Sequence, residues 1–241
     1  MEQVAERYCK LLADRGIYVS AKQLEEFELY YQELVSWNEK MNLTAITDRE
    51  QVYIKHFYDS VSPSFFMPFD REASVVDVGS GAGFPGIPLK IMYPKLKLTI
   101  VDSLNKRIRF LQHVVEQLGL EQVSFVHARA EDAGRRPELR DKFDFATARA
   151  VARLNVLVEL CMPFVATNGL FLAMKGVAAD DERVEAAFSC TQLNAKLERT
   201  FSLDLPEQFG ERHIVTIRKT AATPRMYPRK AGVPAKQPLI R

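Results

Sequence analysis

From residue 74 onward the chain alternates short apolar runs with amphipathic stretches. Ser74–Val78, Leu96–Val101, Val123–His127, Phe143–Ala148 and Gly169–Met174 read as buried strands. Between them Ile87–Met92, Asn105–Leu118 and Asn155–Met162 carry helical spacing, and Gly119 suits a helix C-cap. The charged run Asp180–Arg199 also reads as helix. Phe201–Leu205 and His213–Arg218 close the pattern as an antiparallel hairpin. Strands alternating with helices predict an α/β fold, a mostly parallel sheet covered on both faces, with a C-terminal antiparallel strand.

Before residue 70 the pattern is helical. Ser20 followed by Gln23 is a capping-box signature, and Leu24, Phe27, Leu29, Tyr31, Leu34, Val35 and Trp37 form a helical apolar stripe. A second helix is predicted over Asp48–Ser62, capped by Asp48 and stopped by Pro63, with PSFFMPFD as a linker. After Glu211 there is no further acid, while Arg212, Arg218, Lys219, Arg225, Arg229, Lys230, Lys236 and Arg241 follow. Three segments result: a helical cap over 1–70, an α/β domain over 71–220 and a basic arm over 221–241. Composition alone fits either a solvated tail or a phosphate-binding arm.

The 241 residues suffice for one large domain with an extension, and 47% apolar with 27% charged residues is ordinary for a globular chain. No apolar run approaches the ~20 residues that span a bilayer. The N-terminal MEQVAERYCK lacks a signal-peptide core, so the expected location is cytoplasmic. Cys9, Cys161 and Cys190 are widely spaced, which argues against a disulfide framework or a metal site.

The densest chemistry lies in VVDVGSGAGFPGIPLK, Val75 to Lys90. A triphosphate loop needs a Gly-Lys pair that this stretch lacks. The dinucleotide fingerprint GxGxxG fits Gly81, Gly83 and Gly86, but Pro85 and Pro88 remove N–H donors where a pyrophosphate needs them. A third pattern is Asp77 followed by Gly79, Ser80, Gly81 and Gly83, which resembles motif I of class I S-adenosylmethionine-dependent methyltransferases. That cofactor has no phosphate, and its ammonium suits Asp77. Asp102, followed by Ser103, ends the second strand, where an acid accepts from ribose hydroxyls in either adenosine cofactor. A nicotinamide oxidoreductase and a non-catalytic cofactor-sensing RNA-binding module remain the alternatives.

Other candidates sit at strand ends. Ala130 and Glu131 follow the third strand and would flank an adenine; Phe84 would pack on the cofactor; Arg149 follows the fourth strand, facing cofactor, guanine or phosphate. The chain has ARAV where exocyclic-amine methylation uses [DN]PP[YF]. Cys161, in CMPF, reads as a core residue rather than a nucleophile. Lys175 and Asp144 make only half of a ribose-methylation set. An acceptor with a free lone pair, such as guanine N7, needs no base and is permitted by these residues.

Six motifs together resemble the RsmG family, also called glucose-inhibited division protein B. They are NLTAIT (42–47), VYIKHFYDS (52–60), DVGSGAGFPGIPL (77–89), ARAED (128–132), ARAV (148–151) and YPRKAGVPAKQPL (227–239). The resemblance spans nearly the whole chain. It implies a Rossmann-like class I methyltransferase that makes N7-methylguanosine in bacterial 16S ribosomal RNA of the small subunit, with S-adenosylmethionine as donor. It implies no metal, no membrane and no obligate protein partner, and a monomer is expected. The family's cofactor residues map onto Gly79, Phe84, Ala130, Glu131 and Arg149. The motifs also raise Lys55 and His56 as RNA-binding candidates, with Asp59 and Ser60 beside them. In the arm, Arg225, Tyr227, Arg229 and Lys230 become RNA-contact candidates, Tyr227 by stacking on a base.

Overall fold

A computed structural model describes residues 2–177 and 179–240. Helices α1 (Glu2–Ala13) and α2 (Ala21–Met41) open the chain. The capping box is formed: Gln23 N–H donates to Ser20 Oγ (3.2 Å) and Ser20 N–H to Gln23 Oε1 (2.9 Å). Asp48 caps the next segment by accepting from the Gln51 N–H. This segment changes pitch along its length: α3 (Arg49–Val52), a π-turn (Tyr53–Tyr58), α4 (Asp59–Val61) and a 3-10 turn (Ser62–Phe65). The last turn takes in part of the expected linker.

Seven strands follow: β1 (Ala73–Val78), β2 (Leu96–Asp102), β3 (Val123–His127), β4 (Phe143–Arg149), β5 (Val165–Lys175), β6 (Ala195–Asp204) and β7 (Glu211–Lys219). Their order is β3-β2-β1-β4-β5-β7-β6. β1 to β5 are parallel, and β7 runs antiparallel to both β5 and β6. The helices between strands are α5 (Gly86–Met92), α6 (Asn105–Gln117), α7 (Ala130–Ala133), α8 (Leu154–Cys161) and α9 (Ala179–Gln192), and α10 (Val233–Lys236) lies in the arm.

The helix expected over Asp180–Arg199 stops at Gln192, and β6 begins at Ala195. Asn194 takes a left-handed φ of 52°, which ends the helix. Lys196, Glu198 and Arg199, whose charge suggested a helix face, are exposed on the sheet's edge strand. Charge at an edge discourages pairing with another chain.

Tyr8, Phe27, Tyr30, Leu34, Val52 and Phe57 from the cap share one apolar cluster with Val75, Leu98, Ile100 and Phe145 of the sheet. Leu157, Cys161, Ala186 and Leu193 cover the other face against Val76, Ala146, Phe171 and Val215. Each fully buried aromatic of the cap contributes about 1.5–3 kcal/mol by leaving water, so the cap is fastened to the sheet by its core.

Candidate active site

The parallel strands end at one edge of the sheet. The crevice there opens beside β1, where the connections switch from running toward β3 to running toward β5. The loop after β1 folds around Asp77, which is fully buried. Its Oδ2 accepts from the Ser80 hydroxyl (2.5 Å) and the Gly86 N–H (2.9 Å), while Oδ1 is buried with no donor. Burial pushes the Asp77 carboxyl up to about 6, against the pull of the Ser80 and Gly86 bonds and of the Arg149 charge. A Cβ at Gly86 would lie 2.7 Å from Asp77 Oδ2, so only glycine lets the carboxylate take that N–H. Gly79, Gly81 and Gly83 all have positive φ (72°, 64°, 103°), and the Gly79 N–H continues the β1–β2 ladder to Val101 O (2.8 Å).

Beside this loop lies a cleft of about 330 Å³. It is lined by Gly79, Asp102, Ser103, Ala130, Glu131 and Val151, among others. Asp102 is 2% exposed and ties the loops together: Oδ2 accepts from the Gly81 N–H (3.1 Å) and Oδ1 from the Leu104 N–H (2.9 Å). Ser103 is exposed at the rim. Ala130 and Glu131 begin α7 at the cleft wall. Val151, the last residue of the ARAV motif, leans over Gly79, where a Cβ would meet its Cγ2 at 2.8 Å. The residue before it, Ala150, holds a left-handed φ of 56°, a strained geometry of the kind found at ligand sites.

Arg149 binds the cap to the sheet. Its Nη1 donates to Lys55 O (3.0 Å) and to Asp59 Oδ2 (2.8 Å), and Nη2 lies 3.3 Å from His56 Nδ1. The π-turn brings Lys55 and His56 to this point, and such widened turns are frequent at functional sites. Phe84 is buried between these groups, with the His56 ring stacked on it (4.5 Å between centroids) and the Arg149 guanidinium 4.9 Å from its centre. Phe84 thus supports the loop from behind. The other His56 nitrogen, Nε2, is 2.9 Å from Thr44 Oγ1. Burial, then the Arg149 charge, pull the imidazole down to about 3, so it is neutral near pH 7. Tyr30, fully buried, sends its hydroxyl from α2 to Ala82 O (2.5 Å) inside the glycine loop. Thr44, Tyr30 and Asp59 join the site only through folding; the motifs NLTAIT and KHFYDS were the signal for two of them.

The remaining proton-transfer candidates are engaged or distant. Lys175 Nζ pairs with Glu182 (2.8 Å) and donates to Ala152 O (2.9 Å). Asp144 is exposed near the N-terminal end of β4, bonded to Ser74. Cys161 is fully buried, and burial raises its thiol well above the usual range.

The arm is folded onto the domain. Arg225 and Lys230 are exposed, as a nucleic-acid surface requires, but Tyr227 and Arg229 are turned inward. Tyr227 is 4% exposed with its hydroxyl 3.4 Å from Gln192 Oε1, so its ring is not offered to a base. Arg229 grips the buried Glu159 of α8, Nη2 to Oε2 at 2.6 Å and Nε to Oε1 at 2.9 Å. Arg140 collects the arm's carbonyls from Thr223, Pro224 and Tyr227. The Gly232 N–H donates to Glu131 Oε1 (2.8 Å), which links the arm to the cleft wall. The inward turn of Arg229 follows from Glu159, an acid within the apolar run LNVLVELC that requires a cation.

Among the described residues no helix is long and apolar enough to cross a membrane, and no group of His, Cys, Asp or Glu could hold a metal ion. The family model described as rRNA small subunit methyltransferase G matches residues 23–215. A Ribosomal RNA small subunit methyltransferase G from Brevibacillus brevis is 54% identical over 98% of this chain and 99% of its own length. Its counterpart from Bacillus subtilis is 50% identical over 97% and 98%. Among solved structures, M. jannaschii TYW2 in complex with AdoMet is similar with a TM-score of 0.51 and 19% identity, over 67% of this chain and 74% of that one. The Methanococcus jannaschii fibrillarin pre-rRNA processing protein gives 0.51 and 14%, over 64% and 70%. At these identities the two structures share the fold.

Proposed function

The chain belongs to the family of rRNA small subunit methyltransferase G, and from that membership we propose that it methylates N7 of a guanine in small-subunit ribosomal RNA. S-adenosylmethionine supplies the methyl group as an electrophilic sulfonium. The observation that carries the reading is Asp77 Oδ1, a buried acceptor without a donor beside a glycine loop, suited to an ammonium. Asp102, Ser103, Ala130 and Glu131 line the cleft beside that loop, which supports the first two as ribose contacts and the last two as the border of an adenine.

The loop disfavours a dinucleotide. At the start of α5 the Gly86 N–H is engaged by Asp77, Ile87 and Leu89 donate to Gly83 O and Pro85 O, and Pro88 has no N–H. No donor of that turn is left for a pyrophosphate. The same kind of accounting permits the acceptor that family membership implies. His56, Lys175 and Cys161 are held in contacts that leave none of them as base or nucleophile. Guanine N7 carries its own lone pair and releases no proton on methylation, so alignment of N7 with the donor methyl suffices. Arg149 and Phe84 keep the loop and the cap in register for that alignment. The exposed Arg225 and Lys230 would add sequence-independent affinity for the RNA backbone.

The deciding test is transfer from labelled S-adenosylmethionine to small-subunit particles from cells lacking the protein. Label in N7-methylguanosine is expected, and its loss in Gly81→Arg. Cofactor binding with no label in any particle or RNA would leave the cofactor-sensing module as the better reading.

Asp77 adds a pH signature. Its folded pKa is raised, so the ligand-free folded chain binds a proton that the unfolded chain has released between about pH 4 and 6. Stability attributable to Asp77 therefore falls as pH rises through that window, on the order of 3 kcal/mol in total. A cationic ligand group prefers the ionised carboxylate, so cofactor affinity should weaken as pH drops below about 6. Asp77→Asn should flatten both trends in paired denaturation and calorimetry series. A wild-type affinity independent of pH from 5 to 7 would remove Asp77 from the ammonium role.

A further inference from the structure

Arg212 stands at the start of β7, directly after the loop of residues 205–210. β7 is antiparallel, so its first residues rise at the edge where β4 and β5 end, with His213 opposite Lys175. There Arg212 Nε lies 3.5 Å from Asp59 Oδ1, on the carboxylate whose Oδ2 takes Arg149. Asp59 is 2% exposed and its Oδ1 accepts no hydrogen bond. Two guanidinium groups therefore converge on one buried carboxylate. A third cation, Lys55, stands on the π-turn with its Nζ 4.2 Å from the Phe209 ring centre. Arg149 and Arg212 thus share a single carboxylate, and Lys55 Nζ, beside Phe209, donates to the neutral Gln51 Oε1 (2.8 Å).

The loop that carries Phe209 is strained. Glu207 and Gln208 hold left-handed φ values of 63° and 57°, ahead of Gly210 at 97°. An ion pair from Arg7 of α1 to Glu207 fastens it to the cap. Non-glycine residues held in this region by surrounding contacts cluster at ligand clamps. Arg149 is occupied by Lys55 O, Asp59 and Phe84, which leaves Arg212, its side chain 26% exposed, as the guanidinium that can turn to a ligand.

Resting on the RNA methyltransferase reading, we propose that Arg212 and Lys55 form a seat for an RNA backbone phosphate next to the methylated base. A guanidinium offers a phosphate a two-pronged, charge-assisted contact, and Lys55 adds a point charge. Asp59 orients Arg212 from behind without neutralising the group. A phosphate fixed here sets the position of the target nucleotide without reading its base. Arg212 is thus a substrate-positioning residue, and its loss is read in RNA binding rather than in cofactor binding.

The test compares full-length Arg212→Gln and Arg212→Lys with the parent chain. Binding to small-subunit particles lacking the methyl mark is measured over a salt series, and S-adenosylhomocysteine binding is measured in parallel. For Arg212→Gln, particle affinity should fall roughly tenfold, and the slope of log affinity against log salt should shrink by about one. Arg212→Lys keeps the charge and should keep the slope. Cofactor affinity should stay within about twofold in both. An unchanged slope and affinity in Arg212→Gln overturns the proposal. So does a parallel loss of cofactor affinity, which would make Arg212 a brace for Asp59 and Arg149. If Arg212→Gln does not fold, the lysine variant decides: weaker particle affinity at a retained slope supports the seat, and unchanged affinity or a reduced slope overturns it. A parent chain that binds cofactor but no particle would instead sink the RNA reading itself.

Discussion

Gly83→Ala should abolish S-adenosylmethionine binding and lower stability by about 3 kcal/mol or more. Gly83 sits at φ +103°, and a Cβ there would lie 2.4 Å from the Tyr30 hydroxyl and 2.8 Å from Ile87 Cδ1. Neither neighbour has room to retreat. Tyr30 is fully buried, with Phe57 and Phe84 packed at 5.3 Å and 5.6 Å between ring centres, and its hydroxyl is bonded to Ala82 O. The loop itself would have to move, and Asp77, Ser80 and Gly86 are bonded into it. Gly81→Ala is the internal control. Gly81 has a positive φ of 64° but nothing within 4 Å of a Cβ, so its cost is only the left-handed backbone, roughly 1–2 kcal/mol. Thermal denaturation of the two variants should differ widely in midpoint. Adding Tyr30→Phe to Gly83→Ala removes the nearest clashing atom and should recover part of the loss. Equal behaviour of the two glycine variants would mean that the Tyr30 contact does not constrain the loop.

That Tyr30 matters at all shows where the sequence ceases to be legible. Local signals were readable: the Ser20–Gln23 box, the Asp48 cap, the five parallel strands and the glycine loop each depend on neighbours in the chain. The contact of Tyr30 with Ala82, or of Arg149 with Asp59, joins residues brought together only by folding of the cap onto the sheet. The motif KHFYDS marked the cap segment as functional without showing that a π-turn would aim its Lys55 carbonyl at Arg149. The end of α9 was misplaced for a different reason. Lys196, Glu198 and Arg199 have the polarity of a helix face, and only the left-handed Asn194 and pairing with β7 make them an edge strand. Within the arm, basic residues look alike in sequence. Arg225 and Arg229 differ only in whether a buried acid stands opposite.

Arg229→Ala tests that difference and should be the most damaging substitution in the arm. It would leave Glu159, 1% exposed, as an unpaired carboxylate among the apolar side chains of α8. Removing one partner of a buried ion pair costs about 3–5 kcal/mol, because the remaining charge keeps its desolvation penalty. The bonds from Glu159 raise the Arg229 guanidinium above its usual pKa, consistent with a pair that favours the charged form. The backbone N–H of Arg229 also donates to Glu159 Oε1 (2.7 Å) and would survive the substitution, so the carboxylate is not wholly abandoned. The chain can relieve the unpaired charge by letting the arm lift away, which exposes Tyr227 and frees Gly232 from Glu131 at the cleft wall. Limited proteolysis should then cut within residues 221–240 of the variant at protease levels that spare the parent, and its melting temperature should fall. Glu159→Gln in the same background removes the charge while keeping an acceptor for the Arg229 N–H, and should restore most of the stability. If Arg229→Ala leaves both melting and proteolysis unchanged, the arm is held by Arg140 and its apolar contacts alone. If the variant is destabilised but Glu159→Gln fails to rescue it, the loss comes from the packing of the arginine stem rather than from the buried charge.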